Sequence, residues 1–157
     1  MVLRGMCLQS RLQITYVNTY AWAGNYQENL CPVRDHDNRY FHIILSGERA
    51  YPLSFVYAGD FKDGFACVKT NKGVYRHIDC KGAFLHDWEF IALGIFHKNF
   101  ATAKDKRGWH HIDKAGKEIY QARFASVEPF YNGFALVTLF DDEKIIIDEA
   151  GNKILVV

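Results

Sequence analysis

The chain has 157 residues, 49% of them hydrophobic and 24% charged, which is enough apolar material for one domain with a sizeable core. Its 19 basic and 18 acidic residues leave a net charge of +1, which argues against nucleic-acid binding because phosphate contacts call for a basic excess. No apolar run approaches the roughly 20 residues that span a bilayer, so no membrane partner is expected.

Residues 1–19 read as an N-terminal extension. It starts without the long apolar segment of a signal peptide. Leu12 to Val17 alternates in the manner of a strand that covers the end of an array. From residue 20 onward the sequence repeats itself, with copies at 20–54, 55–89, 90–123 and 124–157 in one continuous domain. Aromatic residues recur at Tyr20, Phe55, Phe90 and Phe124, and again at Tyr26, Phe61, Phe96 and Phe130. Small residues follow at Cys31, Ala66, Ala101 and Ala135, then come Val33, Val68, Ala103 and Val137. Further on, Ile43, Ile78, Ile112 and Ile147 precede Gly47, Gly82, Gly116 and Gly151.

Within a copy the order is constant. In the second, Phe65 to Lys69 alternates, Asn71-Lys72-Gly73 reads as a turn, and Val74 to Asp79 is a second strand, which together make a β-hairpin. Asp79 and Gly82 then have the spacing of a type I turn, as do Asp113 with Gly116 and Asp148 with Gly151; the first copy has Ile44 in place of the Asp. A short third strand is expected next, as at Glu118 to Tyr120. The third copy is one residue short between Ala103 and Ile112, which puts the deletion at a hairpin tip. A unit this short cannot bury a core alone, but stacked neighbours can. The predicted fold is therefore mainly β: four tandem β-hairpin repeats stacked in an open twisted array, with a closed four-bladed propeller-like ring as the alternative.

The run Phe61-Lys62-Asp63-Gly64-Phe65-Ala66-x-Val68, the pair Gly108-Trp109, and His111-Ile112-Asp113-x-x-Gly116 together resemble the WG repeat (KWG-type β repeat) family of bacterial proteins. The resemblance extends over residues 20–157, and only the third copy keeps the Gly-Trp pair. It implies β-hairpin repeats and an interaction role, and it brings no catalytic residues.

His42, His77 and His111 share a column that holds Ile146 in the fourth copy. Rings one repeat apart are widely spaced for a single ion, so no metal is expected and each ring should bond a backbone group or water. His110 and His111 point to opposite faces of a strand. Cys80 and His77 have the residue types of a nucleophile and its base, but Cys80 lies within a turn. Cys7, Cys31, Cys67 and Cys80 form no Cys-x-x-Cys pair, which points to reduced thiols and a cytoplasmic location. No phosphate loop, nucleophile elbow or zinc-protease motif is present, so no cofactor is expected.

Aromatics outside the repeat columns are the binding candidates: Trp22, Tyr40, Tyr75, Trp88, Trp109 and Tyr131. Exposed Trp and Tyr give contact area at low entropic cost. The expected function is a non-catalytic repeat scaffold binding a protein partner. The alternatives are a glycan-binding module using exposed aromatics, and an enzyme with a site between repeats. The apolar end, Lys153 to Val157, calls for cover, either in a homodimer through terminal strands or by closure against residues 12–17.

Overall fold

Alternation and turn chemistry dictate sheets, and sheets are what form. The computed structural model describes residues 19–157. They contain thirteen strands in four antiparallel sheets, and no helix long and apolar enough to cross a membrane. Each copy contributes a two-residue strand and a hairpin. The first copy has β1 (Trp22–Ala23), β2 (Cys31–Arg34) and β3 (Tyr40–Ile43); the second has β4 (Tyr57–Ala58), β5 (Phe65–Lys69) and β6 (Tyr75–Asp79). The third has β7 (Ala92–Leu93), β8 (Ala101–Asp105) and β9 (Gly108–Ile112). The fourth has β10 (Ser126–Val127), β11 (Phe134–Thr138) and β12 (Lys144–Asp148), with β13 (Lys153–Val156) added at its edge. The last strand is exposed along its whole length and pairs only with β12, so the array of the described residues is open and no closed ring forms among them.

The missing residue of the third copy lies at a hairpin tip. Four residues separate Lys104 from its partner Trp109, whereas five separate the equivalent pairs Arg34 and Tyr40, Lys69 and Tyr75, and Thr138 and Lys144; the shorter tip is closed by pairing of Asp105 with Gly108. Asp105 Oδ1 accepts from the Arg107 and Gly108 amides at 2.8 and 3.2 Å. Its Oδ2 accepts from Arg123 Nε and Nη2 at 3.0 and 2.8 Å, and Arg123 also donates to Glu118. The side chain of Arg123 is 7% exposed, so this ion pair is well sheltered and clamps the end of the third repeat to its own hairpin.

The Asp-x-x-Gly turns close as their chemistry requires. Asp113 Oδ1 accepts from the Ala115 and Lys117 amides, both at 2.9 Å, and Gly116 has φ 78°. Gly82 and Gly151 have φ 77° and 81°. Packing adds a second demand that backbone reasoning alone does not show. A Cβ on Gly82 would lie 2.6 Å from the Tyr51 ring, and one on Gly151 would lie 2.8 Å from the Tyr120 ring. Each turn is thus a flat seat for a ring from the preceding repeat.

The core lies between repeats. One cluster joins Phe41, Phe55 and Phe61 to Ala66, Val68 and Ile78; a second gathers Phe96, Ala101, Ala103 and Ile112; a third holds Phe124, Phe130, Ala135, Val137 and Ile147. Phe61, Phe96 and Phe130 are 2%, 1% and 4% exposed, while Ile78, Ile112 and Ile147 are all at 0%. From the second copy on, the repeat columns are therefore the core columns, while Tyr26, the first-copy counterpart of Phe61, is 42% exposed.

Two expectations need correction. The third strand is not continuous in the first three copies. Only isolated bridges form there, Ile43 to Arg49, Ile78 to Phe84 and Ile112 to Glu118, before the chain leaves for the next sheet. The fourth copy alone builds this strand, as β13. The stretches read as links, such as residues 123 to 132, carry the two-residue strands β1, β4, β7 and β10, which are too short to alternate. The covering strand expected at 12–17 lies outside the described residues.

Phe96→Ala should cost about 3–5 kcal/mol in urea melts through lost transfer energy and a cavity. Two glycines separate backbone strain from packing. Gly73 has φ 82° and nothing within 4 Å of where a Cβ would stand, so Gly73→Ala should cost about 1 kcal/mol. Gly151→Ala meets the Tyr120 ring as well and should cost at least about twice as much.

Candidate functional site: a histidine spine and an aromatic–cationic strip

Each sheet has a forward face, the one that meets the next repeat. Alternation sends His42, His77 and His111 to it, from the middle of β3, β6 and β9. Each Nε2 lies 2.8 Å from a carbonyl of the following repeat, that of Gly59, Gly94 or Glu128. A carbonyl only accepts, so Nε2 carries the proton and Nδ1 is left as an acceptor. The Tyr51 and Tyr120 hydroxyls donate to Nδ1 of His42 and His111, both at 2.5 Å. In the middle junction His86 stands where the others have Tyr, and His77 Nδ1 has no protein partner. Phe61, Phe96 and Phe130 pack on the three imidazoles with centroids 4.6, 4.4 and 4.1 Å away. Burial pushes all three rings down to about 4. This column is a neutral spine that fastens one repeat to the next. No cluster of three or more metal-ligating side chains occurs among the described residues.

A second set of residues runs along one end of the forward faces. Trp22, Arg34 and Tyr40 are cross-strand partners in the first sheet, and Tyr57, Lys69 and Tyr75 occupy the same places in the second. Each row sets a cation between two aromatic rings. The third sheet keeps half of the pattern in Ala92, Lys104 and Trp109; the fourth has Ser126, Thr138 and Lys144. Within the first row Trp22 lies 5.9 Å from Tyr40, and the first two rows meet where Tyr40 lies 5.7 Å from Tyr57 of the next repeat. The cations sit over rings, Arg34 at 5.9 Å from Tyr40, Lys69 at 5.3 Å from Tyr75 and Lys104 at 5.8 Å from Trp109. Gly24 and Gly59 follow the short strands and leave room for the rings, since a Cβ on Gly24 would touch Trp22 at 3.0 Å and one on Gly59 the Tyr57 hydroxyl at 3.3 Å. Burial, followed by the nearby Cys67 and Asp60, raises the Tyr57 phenol above its usual value.

Four of the six aromatics singled out from the sequence, Trp22, Tyr40, Tyr75 and Trp109, stand in these rows. The other two do not. Trp88 is exposed on the segment after β6, beside the Gly116 turn, and Tyr131 is exposed and stacks on His97 at 4.7 Å. Sequence reasoning missed Tyr57, Arg34, Lys69 and Lys104. Their signal was available in the repeat alignment, where aromatic, cationic and aromatic columns fall at matching offsets in the first two copies. Cys80 is exposed, whereas Cys31 and Cys67 are buried; the Cys67 thiol donates to the Leu93 carbonyl at 3.2 Å and burial pushes it up to about 12.

Residues 47–73 and 112–139 match the sequence profile of the WG containing repeat. No curated protein matches the sequence. Among solved structures the chain is similar to BamB from Moraxella catarrhalis, with TM-score 0.54 and 11% identity over 82% of this chain and 49% of that one. It is also similar to the computationally designed Ika8 protein, with TM-score 0.56 and 16% identity over 85% of this chain and 47% of that one. The designed Ika4 protein superimposes with TM-score 0.50 and 13% identity, over 78% of this chain and 87% of that one. The chain thus spans about half the length of the first two, and the likeness is one of propeller-like repeat fold.

Because the buried histidines have folded-state values near 4 against about 6.5 when unfolded, the unfolded chain binds protons first as the pH falls. Stability should be full above about pH 6.5 and decline down to about pH 4, by at most about 3 kcal/mol per histidine. Urea midpoints across that range check this. His86→Tyr should restore the absent bond to His77 Nδ1 and stabilise by about 1 kcal/mol, read by the same melts.

Proposed function

We propose that the chain, two stretches of which match the WG containing repeat, is a non-catalytic scaffold that binds a protein partner along the aromatic–cationic strip. The observation that carries this reading is the row of cations held between rings, repeated in register in the first two sheets and half kept in the third. Aromatic rings beside guanidinium and ammonium groups combine large apolar contact with charge, the composition of interface hot spots. The buried histidines support a non-catalytic role, since Nε2 of each is engaged in joining one repeat to the next.

A glycan is the second reading, favoured by the contiguous rings of Trp22, Tyr40 and Tyr57. Cations over several of the ring faces weigh toward a protein with acidic groups.

Trp22 and Tyr57 are 39% and 45% exposed, so replacing both by Ala should spare the fold. Pull-down from the native host with wild type and Trp22→Ala/Tyr57→Ala should show a protein that the variant loses, with affinity weakened at least about 30-fold. Raising the salt should weaken capture further. Trp88→Ala should leave capture unchanged. Equal capture by both proteins, or binding on a glycan array alone, would sink the proposal.

A further inference from the structure

Half-burying a cation costs free energy unless an opposite charge or a hydrogen-bond partner offsets it. Among the described residues the half-buried cations are Arg34, Lys62, Lys69, Arg76, Lys104 and Arg123. Arg76 pairs with Asp87 at 3.7 Å, Arg123 pairs with Asp105 at 2.8 Å, and Lys62 Nζ lies 3.5 Å from His97 Nδ1. The other three make no side-chain hydrogen bond or ion pair with any described residue, and they are the three cations of the strip, each lying over an aromatic ring. Arg34 Nε is buried without a partner. Asp35, the carboxylate next to Arg34 in sequence, is taken up by the Asp37 and Arg39 amides at 3.0 and 2.9 Å. The strip therefore presents one cation per repeat and leaves each of them without a carboxylate.

Spacing selects what can meet these cations. Arg34, Lys69 and Lys104 hold the same register position on β2, β5 and β8, the middle strands of three successive sheets. Sheets packed face to face lie about 10 Å apart, so the cations recur at about that interval. A β-strand rises about 3.3 Å per residue and covers this interval in about three residues, but its side chains alternate, so successive carboxylates would point to opposite sides. A polyproline II segment rises about 3.1 Å per residue with about three residues per turn, so every third side chain returns to the same side after about 9 Å. Such segments also dock against aromatic side chains, and rings stand on both sides of Arg34 and of Lys69.

We infer that the strip takes an acidic segment of a partner in the polyproline II conformation, with a carboxylate at every third position meeting Arg34, Lys69 and Lys104 in turn. This partner chemistry rests on the strip being the binding surface. Fluorescence anisotropy with labelled peptides of about nine residues, built from equal numbers of glutamates, prolines and tyrosines, tests the register. Glutamate at every third position should bind at least about 10-fold tighter than the same residues with glutamate at every second position. Glutamine in place of glutamate in the first peptide should weaken it by at least about 10-fold as well. Arg34→Gln/Lys69→Gln/Lys104→Gln should bind both registers equally weakly, and Lys117→Gln, exposed beside the Gly116 turn, should bind like the wild type. The triple variant has no ion pair to lose and should still fold, which urea melts check; should it not, the peptide series on the wild type decides alone. Equal binding of the two registers, binding that survives glutamine, or a preference retained in the triple variant would each overturn the inference. If no peptide binds while the pull-down still captures a protein that Trp22→Ala/Tyr57→Ala loses, the acidic register falls and the scaffold reading stands; if the pull-down fails too, both fall.

Discussion

Three short strands make a sheet with two faces to cover and nothing of its own to cover them with. Every other feature of the molecule answers that constraint. The aromatic columns supply bulk on one side of each junction and Ala66, Ala101 and Ala135 leave room on the other. Histidine on the forward face ties the middle of each sheet to a carbonyl of the next, which satisfies a backbone acceptor that would otherwise be buried alone. Glycine at the turn admits the ring of the preceding repeat. Stability in such an array comes from nearest-neighbour interfaces, so a side chain matters for the seam it closes more than for the repeat that carries it.

How much of this could be read from the sequence depends on how often a residue type returns. Phe61, Phe96 and Phe130, with their Ala, Val and Ile companions, return in register and mark the core without ambiguity. The deletion in the third copy was placed at a tip because its neighbours on both sides kept their columns. The two-residue strands were not legible, since two residues show no period. The broken third strand looked continuous because Glu118-Ile119-Tyr120 has the right residue types; what interrupts it is the need to cross to the next sheet, a tertiary demand. Trp22, Tyr40, Tyr75 and Trp109 were found as aromatics standing outside the main columns. Their cationic partners went unnoticed, because an Arg or Lys on a strand ordinarily reads as a solvated side chain.

The strip and the spine share a face yet follow different rules. The spine persists through three repeats because each member completes a junction. The strip is complete in two repeats, half kept in the third and absent in the fourth, where Ser126 bonds Thr138 at 3.0 Å. Residues needed for folding recur wherever the fold recurs; this gradient is what a surface set apart from that need looks like. It also gives the array a polarity, with aromatic and cationic character gathered toward one end and bare aliphatic surface at the other.

The substitution of His86 for tyrosine has a mechanical meaning. The junctions on either side of the middle one each have a tyrosine hydroxyl closing the imidazole. The middle seam lacks that hydroxyl, and the Cys67 thiol bond to the Leu93 carbonyl is added to the Nε2 bond there. Where neighbouring interfaces add along a line, opening under load should start at this seam, between residues 77 and 94. A ligand lying across the first two sheets would sit wholly on one side of that seam.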